Sequence, residues 1–190
     1  MKKVKIEIVP YNQAWPAEFH EIGKQIRGAV GHAALTIHHI GSTSVPGLSA
    51  KDLIDVQMGA ADFSMAWKKH IEAVGFEFRE YTSDHCPPGM ELSAEQLEKR
   101  FFSMNSRAVN LHIRVPGRFN FRYALLFRDY LRAHPPAANA YGVVKENLSR
   151  YFPTDEDAYY AIKDPACDCI MAGAFEWASS TDWKPGPSDA

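Results

Sequence analysis

Val4-Lys5-Ile6-Glu7-Ile8-Val9-Pro10 alternates apolar and polar positions until proline stops it, which predicts a short strand or an extended arm. Trp15-Pro16 opens a helix to about Gly31: proline suits the first helical position, and Phe19, Ile22, Ile26 and Val30 fall on one stripe. Leu35–Ile40 is rich in β-branched residues and predicts a strand. Asp52–Met58 predicts a second, apolar enough to lie centrally in a sheet. From Asp62, a capping residue, to about Val74 the pattern predicts an amphipathic helix closed near Gly75. Phe76–Arg79 alternates as a strand, Ser83–Gly89 is a turn-rich break, and Ser93–Lys99 suits one or two helical turns. Arg100–Met104 and Ala108–Val115 read as paired strands joined by a turn at Asn105-Ser106-Arg107. Three helices follow, over Phe121–Ala133, Ala137–Arg150 and about Thr154–Trp177. Pro135-Pro136 and Pro153 separate them, and Thr154 with Asp157 has the pattern of an N-terminal cap. Strands and helices alternate early and helices dominate late. The predicted class is therefore α/β (α+β), a mixed central sheet with flanking helices and a helical C-terminal part. It is read as one domain over residues 1–180 with a flexible tail at 181–190.

The length, 190 residues, suits one domain of ordinary size with a core of its own, and neither disulfides nor a structural metal are needed. A net charge of −2 speaks against a general nucleic-acid binder, whose affinity rests on phosphate contacts, although a local basic pocket is compatible with it. Three cysteines, with no apolar stretch behind the basic start Met1-Lys2-Lys3, fit a reducing cytoplasm. No apolar run approaches the ~18 residues that span a bilayer. Oligomeric state is not legible.

Candidate chemistry concentrates between the first two central strands. His39-Ile40-Gly41-Ser42-Thr43-Ser44-Val45-Pro46-Gly47-Leu48 is a strand running into a loop without large side chains, where backbone N–H groups can approach a phosphate and hydroxyls add donors. Lys51 can neutralise phosphate charge, and Asp55 on the next strand can hold Mg²⁺, which takes oxygen ligands and shares substrate phosphates. The plainer reading is that Gly41 and Gly47 only make tight turns.

This segment, "HIGSTSVPGL…K…ID", resembles the signature of the GrpB-like family. The similarity continues in "YNQAWPAEF", "NLHIRV" and "LLFRDYLRAHP", in Tyr141…Lys145…Leu148, and in Tyr160, Lys163, Ile170, Ala174 and Trp177. It therefore spans the chain from about Val9 to Trp177. The family resembles nucleotidyltransferases, and in some bacteria a similar domain is fused to dephospho-coenzyme A kinase. The resemblance implies a Gly-Ser pair closing one strand, here Gly41-Ser42, and two acidic residues at alternate positions of the next. Those positions hold Asp55 and Gln57. A third carboxylate is implied on a later strand, where Val109–Val115 offers His112. Gln57 is neutral, and histidine prefers softer metals than magnesium, so the set departs from two-metal nucleotidyl transfer. Lys145, four residues after Tyr141, resembles a tyrosine–lysine pair that lies near the nucleotide in small nucleotidyltransferases.

His38, His39 and His112 fall on predicted central strands, with His39 and His112 placed near the Gly-Ser end. With Asp55 they suggest a transition-metal site, or His112 as a general base; a hydrogen-bonded histidine buried for packing is the plainer reading, and the one taken for His38. Arg114 shares the face of His112 and suits a phosphate or carboxylate. Arg128 and Arg132, four apart on one helix face, suit ion pairs or a contact to bound nucleotide. The sulfurs of Cys167 and Cys169 point about 200° apart on a helix, so they and Cys86 are read as nonfunctional thiols. Together these readings expect a nucleotide or other phosphorylated small molecule at Gly41, Ser42, Thr43, Ser44, Lys51, Arg114, Arg128 and Lys145, with Asp55 and His112 catalytic and Asp55 and His39 as metal ligands. Magnesium-dependent nucleotidyl transfer to an unknown acceptor is the first expectation. A catalytically inactive binding module and a histidine metal site are the alternatives.

Overall fold

The computed structural model describes residues 5–79 and 83–190. Five strands form one mixed sheet: β1 (Thr36–Ile40), β2 (Ile54–Gly59), β3 (Glu77–Arg79), β4 (Arg100–Met104) and β5 (Val109–Arg114), in the order β1-β2-β5-β4-β3. Among the described strands only β2 and β5 run parallel. The helices are α1 (Trp15–Val30), α2 (Lys68–Ala73), α3 (Ala94–Leu97), α4 (Phe119–Ala133), α5 (Pro135–Tyr151) and α6 (Glu156–Ser180). The mixed sheet, flanking helices and helical C-terminal part are those the sequence predicts. Among the described residues no helix is long and apolar enough to cross a membrane.

Strand parity sorts the side chains onto two faces. On one, Ile37, Ile54, Val56, Met58, Leu111, Ile113 and Phe102 form the main core with α1 and α2. On the other lie Asp55, Gln57, Asn110, His112 and Arg114, in register across the parallel pair Asp55↔Asn110, Gln57↔His112 and Gly59↔Arg114. α4 covers part of that second face through Phe121 and Leu125, which pack on Ile40.

One open expectation is resolved, and three local ones are corrected. The N-terminal segment, whose Val4 lies outside the described residues, is an arm: Val9 bridges Ala50, and the Ile6 N–H donates to Pro153 O at 2.7 Å. The helix predicted from Asp62 forms only at Lys68–Ala73, because Asp62 accepts from the Ser64 N–H at 2.8 Å in a local turn and Met65 adopts φ +60°. The cap of α6 is Asp155, which accepts from the Ala158 N–H at 3.0 Å, in place of Thr154. The tail expected to fray is docked on β1. The Ile37 N–H donates to Ser188 Oγ (2.8 Å), the Asp189 N–H donates to Ile37 O (2.8 Å), and the His39 N–H donates to the Asp189 carboxylate (3.0 Å).

A two-lobed candidate ligand site

The polar face of the sheet opens into a cleft closed by α4, α5, α6 and the segment around Asp84. It has two adjoining lobes, of about 270 and 570 Å³. Ser42, Asp55, Asp84, His112 and Lys163 line both and mark the junction. The smaller lobe is aromatic, with Phe119, Tyr123, Phe127 and Tyr141 in its wall. The larger is basic, with Lys51, Lys99, Lys145 and Lys163 around it.

The loop after β1 brings the backbone to the junction. Gly41 adopts φ +69°, and a Cβ there would collide with the Asp55 carboxylate, so glycine is required for this approach. Ser42–Ser44 forms a tight 3-10 turn in which Ser44 N–H and Val45 N–H donate to Gly41 O and Ser42 O. Ser42 faces both lobes and Thr43 the basic one, but Thr43 Oγ1 already donates to Leu53 O at 3.1 Å. Ser44 turns inward, its hydroxyl on Gly41 O at 2.6 Å, and lines neither lobe.

Asp55 accepts from Asn110 Nδ2 at 3.1 Å and stands 3.6 Å from His112 Nε2. Burial pushes His112 down to about 4, with Arg114 and Lys99 adding to the effect against the pull of Asp55. The ring is therefore neutral near pH 7. Lys99 Nζ lies 3.5 Å from its Nδ1, so the ring proton belongs on Nε2, toward Asp55.

Behind this pair lies a carboxylate the sequence reading missed. Asp84 accepts from Lys99 Nζ at 2.5 Å, from Arg114 Nε and Nη2 at 2.8 and 3.0 Å, and from Asn120 Nδ2 at 3.1 Å. Burial alone would raise its pKa, but the two cations hold it well below the usual carboxylate range. Arg114 also donates to Gln57 Oε1 at 2.6 Å, and Gln57 Nε2 donates to Phe121 O at 3.2 Å, so this position opposite His112 is satisfied within the fold. Arg114 reaches the cleft, as the sequence suggests, but with its guanidinium already engaged.

In the basic lobe, Lys145 is 2% exposed, donates to Ser49 O at 2.5 Å and lies 4.7 Å from the Tyr141 ring centroid. Burial, then the neighbouring Lys163, push it down to about 7. Lys51 lies over Tyr159 and Tyr160, 4.7 Å from each ring centroid. Lys163 pairs with Asp164 at 2.8 Å. Cys167 lines the aromatic lobe beside Tyr141, its thiol pushed up by burial.

Besides Ser44, two expected site residues lie elsewhere. His39 pairs in register with Val56, on the face opposite Asp55 and His112, and stacks on Phe19 with ring centroids 4.7 Å apart. Its Nε2 engages Thr43 Oγ1 at 3.1 Å, and burial pushes it down to about 4. It cannot share a metal with His112 across the sheet. Arg128 is buried on α4, donates to His39 O at 3.0 Å and to Asp189 at 2.7 Å, and lines neither lobe; it ties the helix to β1 and the tail. His38 packs against the edge of Phe121, 6.0 Å between centroids. Asp84 and Lys99 had no signal in the sequence, since no periodicity links their segment to β5. Lys163 was named only among the residues that carry the family resemblance, and Asp164 had no signal in the sequence.

The model of the GrpB protein family matches residues 5–172. The chain belongs to the GrpB family. A solved structure of the conserved protein GrpB from Enterococcus faecalis superimposes with a TM-score of 0.74 at 27% identity, covering 91% of this chain and 99% of that one. Among curated GrpB relatives, the protein YqkA of Bacillus subtilis is 32% identical, over 99% of this chain and 51% of its own length. A protein of Mycolicibacterium paratuberculosis named dephospho-CoA kinase is 34% identical, over 96% of this chain and 49% of its own length. The chain thus spans about half the length of these relatives.

Proposed function

We propose that the cleft binds a nucleotide, or another ligand joining an aromatic group to a phosphate, with the ring in the aromatic lobe and the phosphate in the basic lobe. The observation that carries this reading is the convergence of Lys51, Lys99, Lys145 and Lys163 on one lobe that adjoins Phe119, Tyr123, Phe127 and Tyr141. Buried lysines are costly unless an anion repays their desolvation, and aromatic walls suit a planar ring. The placement of Gly41-Ser42 after β1, with Asp55 on β2, supports the nucleotidyltransferase-like reading of the fold.

The finer reading is nucleotidyl transfer to an acceptor, run at the junction. Asp55 would accept the proton of the hydroxyl that attacks the α-phosphate, with His112 Nε2–H orienting the carboxylate, as the α–β phosphoanhydride bond breaks and pyrophosphate leaves into the basic lobe. The magnesium expected from the resemblance would need several oxygen donors at the junction. Asp55 is one carboxylate, Gln57 is held by Arg114 and Phe121, and Asp84 is held by Arg114, Lys99 and Asn120. Among the described residues no group of three or more His, Cys, Asp or Glu is arranged to hold a metal ion. The residues do not fit a magnesium site built on two or three carboxylates. The engagement of Gln57 also favours a second reading, a binding module without turnover.

Calorimetry with ATP, GTP, CTP, UTP, adenosine and pyrophosphate tests the proposal. Adenosine and pyrophosphate are expected to bind without excluding each other, and a triphosphate more tightly than either. Lys145→Met should abolish the pyrophosphate signal, and Tyr123→Ala the adenosine signal. If none of the six binds, the reading fails. Turnover of a nucleotide by the wild type separates the two finer readings, and turnover retained in Asp55→Asn excludes Asp55 as the base.

A further inference from the structure

We propose that Lys99, pinned between Asp84 and His112, stands in for a divalent metal in this cleft, so that its anionic ligand binds without one. The inference rests on the ligand site proposed above and concerns what neutralises the phosphate there. Lys99 is 5% exposed, yet it lines the basic lobe, with its ammonium 2.5 Å from Asp84 and 3.5 Å from His112 Nδ1. It thus lies among the side chains that a strand-bound metal would need: a carboxylate, the imidazole, and Asp55 beyond that ring.

Charge balance points the same way. At the junction Asp55, Asp84 and Asp164 face Lys99, Arg114 and Lys163, three anions against three cations, so a dication meets no net negative charge. Magnesium also demands near-octahedral oxygen ligands at about 2.0–2.1 Å. Four donors from Lys99, Arg114 and Asn120 already converge on the Asp84 carboxylate. The remaining charged groups of the basic lobe are Lys51 and Lys145. That lobe carries an excess of positive charge, which a phosphate or pyrophosphate dianion completes. Burial and Arg114 push Lys99 down to about 8 against the pull of Asp84, as befits an ammonium that gains from a further anion.

Two titrations of the full chain test this. In the first, the free Mn²⁺ signal is followed by electron paramagnetic resonance as protein is added, with no nucleotide present. No bound Mn²⁺ is expected below about 1 mM, the weak end of the range for dedicated divalent sites. Mn²⁺ bound by the wild type and lost in Asp55→Asn overturns the inference. In the second, pyrophosphate binding is measured by calorimetry in EDTA and in excess Mg²⁺. The affinity in EDTA is expected to equal or exceed that in Mg²⁺, and a tenfold gain with Mg²⁺ overturns the inference. Lys99→Met should weaken pyrophosphate at least tenfold while Lys99→Arg stays within threefold. Equal weakening in both, with unchanged thermal melts, assigns Lys99 to packing and also overturns it. Absence of both Mn²⁺ and pyrophosphate binding instead removes the anion site itself, and the inference falls with it.

Discussion

The two faces of the sheet are built from alternate residues of the same strands and follow opposite rules. Val56, Leu111 and Ile113 point into the core under α1 and α2, fully shielded from water. Their neighbours Asp55, Gln57, His112 and Arg114 point the other way into a hydrogen-bonded polar layer. Burying apolar surface is favourable wherever it occurs, whereas a buried charge is tolerated only with partners. The first face can therefore be repacked with modest loss, but the second depends on each partner being present. A sheet selected for stability alone would have no use for the second arrangement.

The sharpest break of this contrast is Asp84→Ala, which leaves Arg114 and Lys99 buried without their carboxylate. It should cost about 3–5 kcal/mol in urea unfolding, as for other broken buried pairs. On the apolar face, Leu111→Ala should cost about 3 kcal/mol through its cavity, with pyrophosphate affinity retained wherever the protein is folded. Next is acid. His39 on one face and His112 on the other are both held near a pKa of about 4, below the ordinary 6.5. The unfolded chain therefore takes up protons first as pH falls. Stability is fully present above pH 6.5 and is withdrawn toward pH 4, on the order of 2 kcal/mol per histidine. His39→Asn and His112→Asn should each remove about half of that slope in melts taken across the range. A slope unchanged in both variants would assign the acid lability to other groups. The smallest stability effect is expected for Asp55→Asn, within about 0.5 kcal/mol of the wild type, with its consequence confined to the ligand site.

The sheet was legible in the sequence because strand parity and β-branched runs are local signals. Thr36–Ile40, Ile54–Gly59, Arg100–Met104 and Val109–Arg114 all fall within a residue or two of where alternation puts them. The helix expected over residues 62–74 failed because Asp62 made a turn of its own instead of a cap. Lining of the candidate cleft was legible where residues flank the Gly-Ser loop or share a strand, as with Asp55, His112, Lys51 and Arg114, and at Lys145 through the family resemblance. His39 was misplaced because a residue's face is settled by strand pairing, here His39↔Val56, and not by its nearness in sequence to the loop. Asp84 and Lys99 were unreadable because their role exists only once the segment preceding β4 folds back against β5.

The docked tail bears on how the molecule behaves in company. β1 is an edge strand, and Ser188 and Asp189 engage its backbone at Ile37 and His39. β3, the opposite edge, covers three of the described residues, Glu77–Arg79. Unpaired edges are templates on which sheets of separate molecules add to one another. Deleting residues 188–190 would uncover the longer of the two, and the shortened chain should self-associate in sedimentation experiments at concentrations where the full one does not.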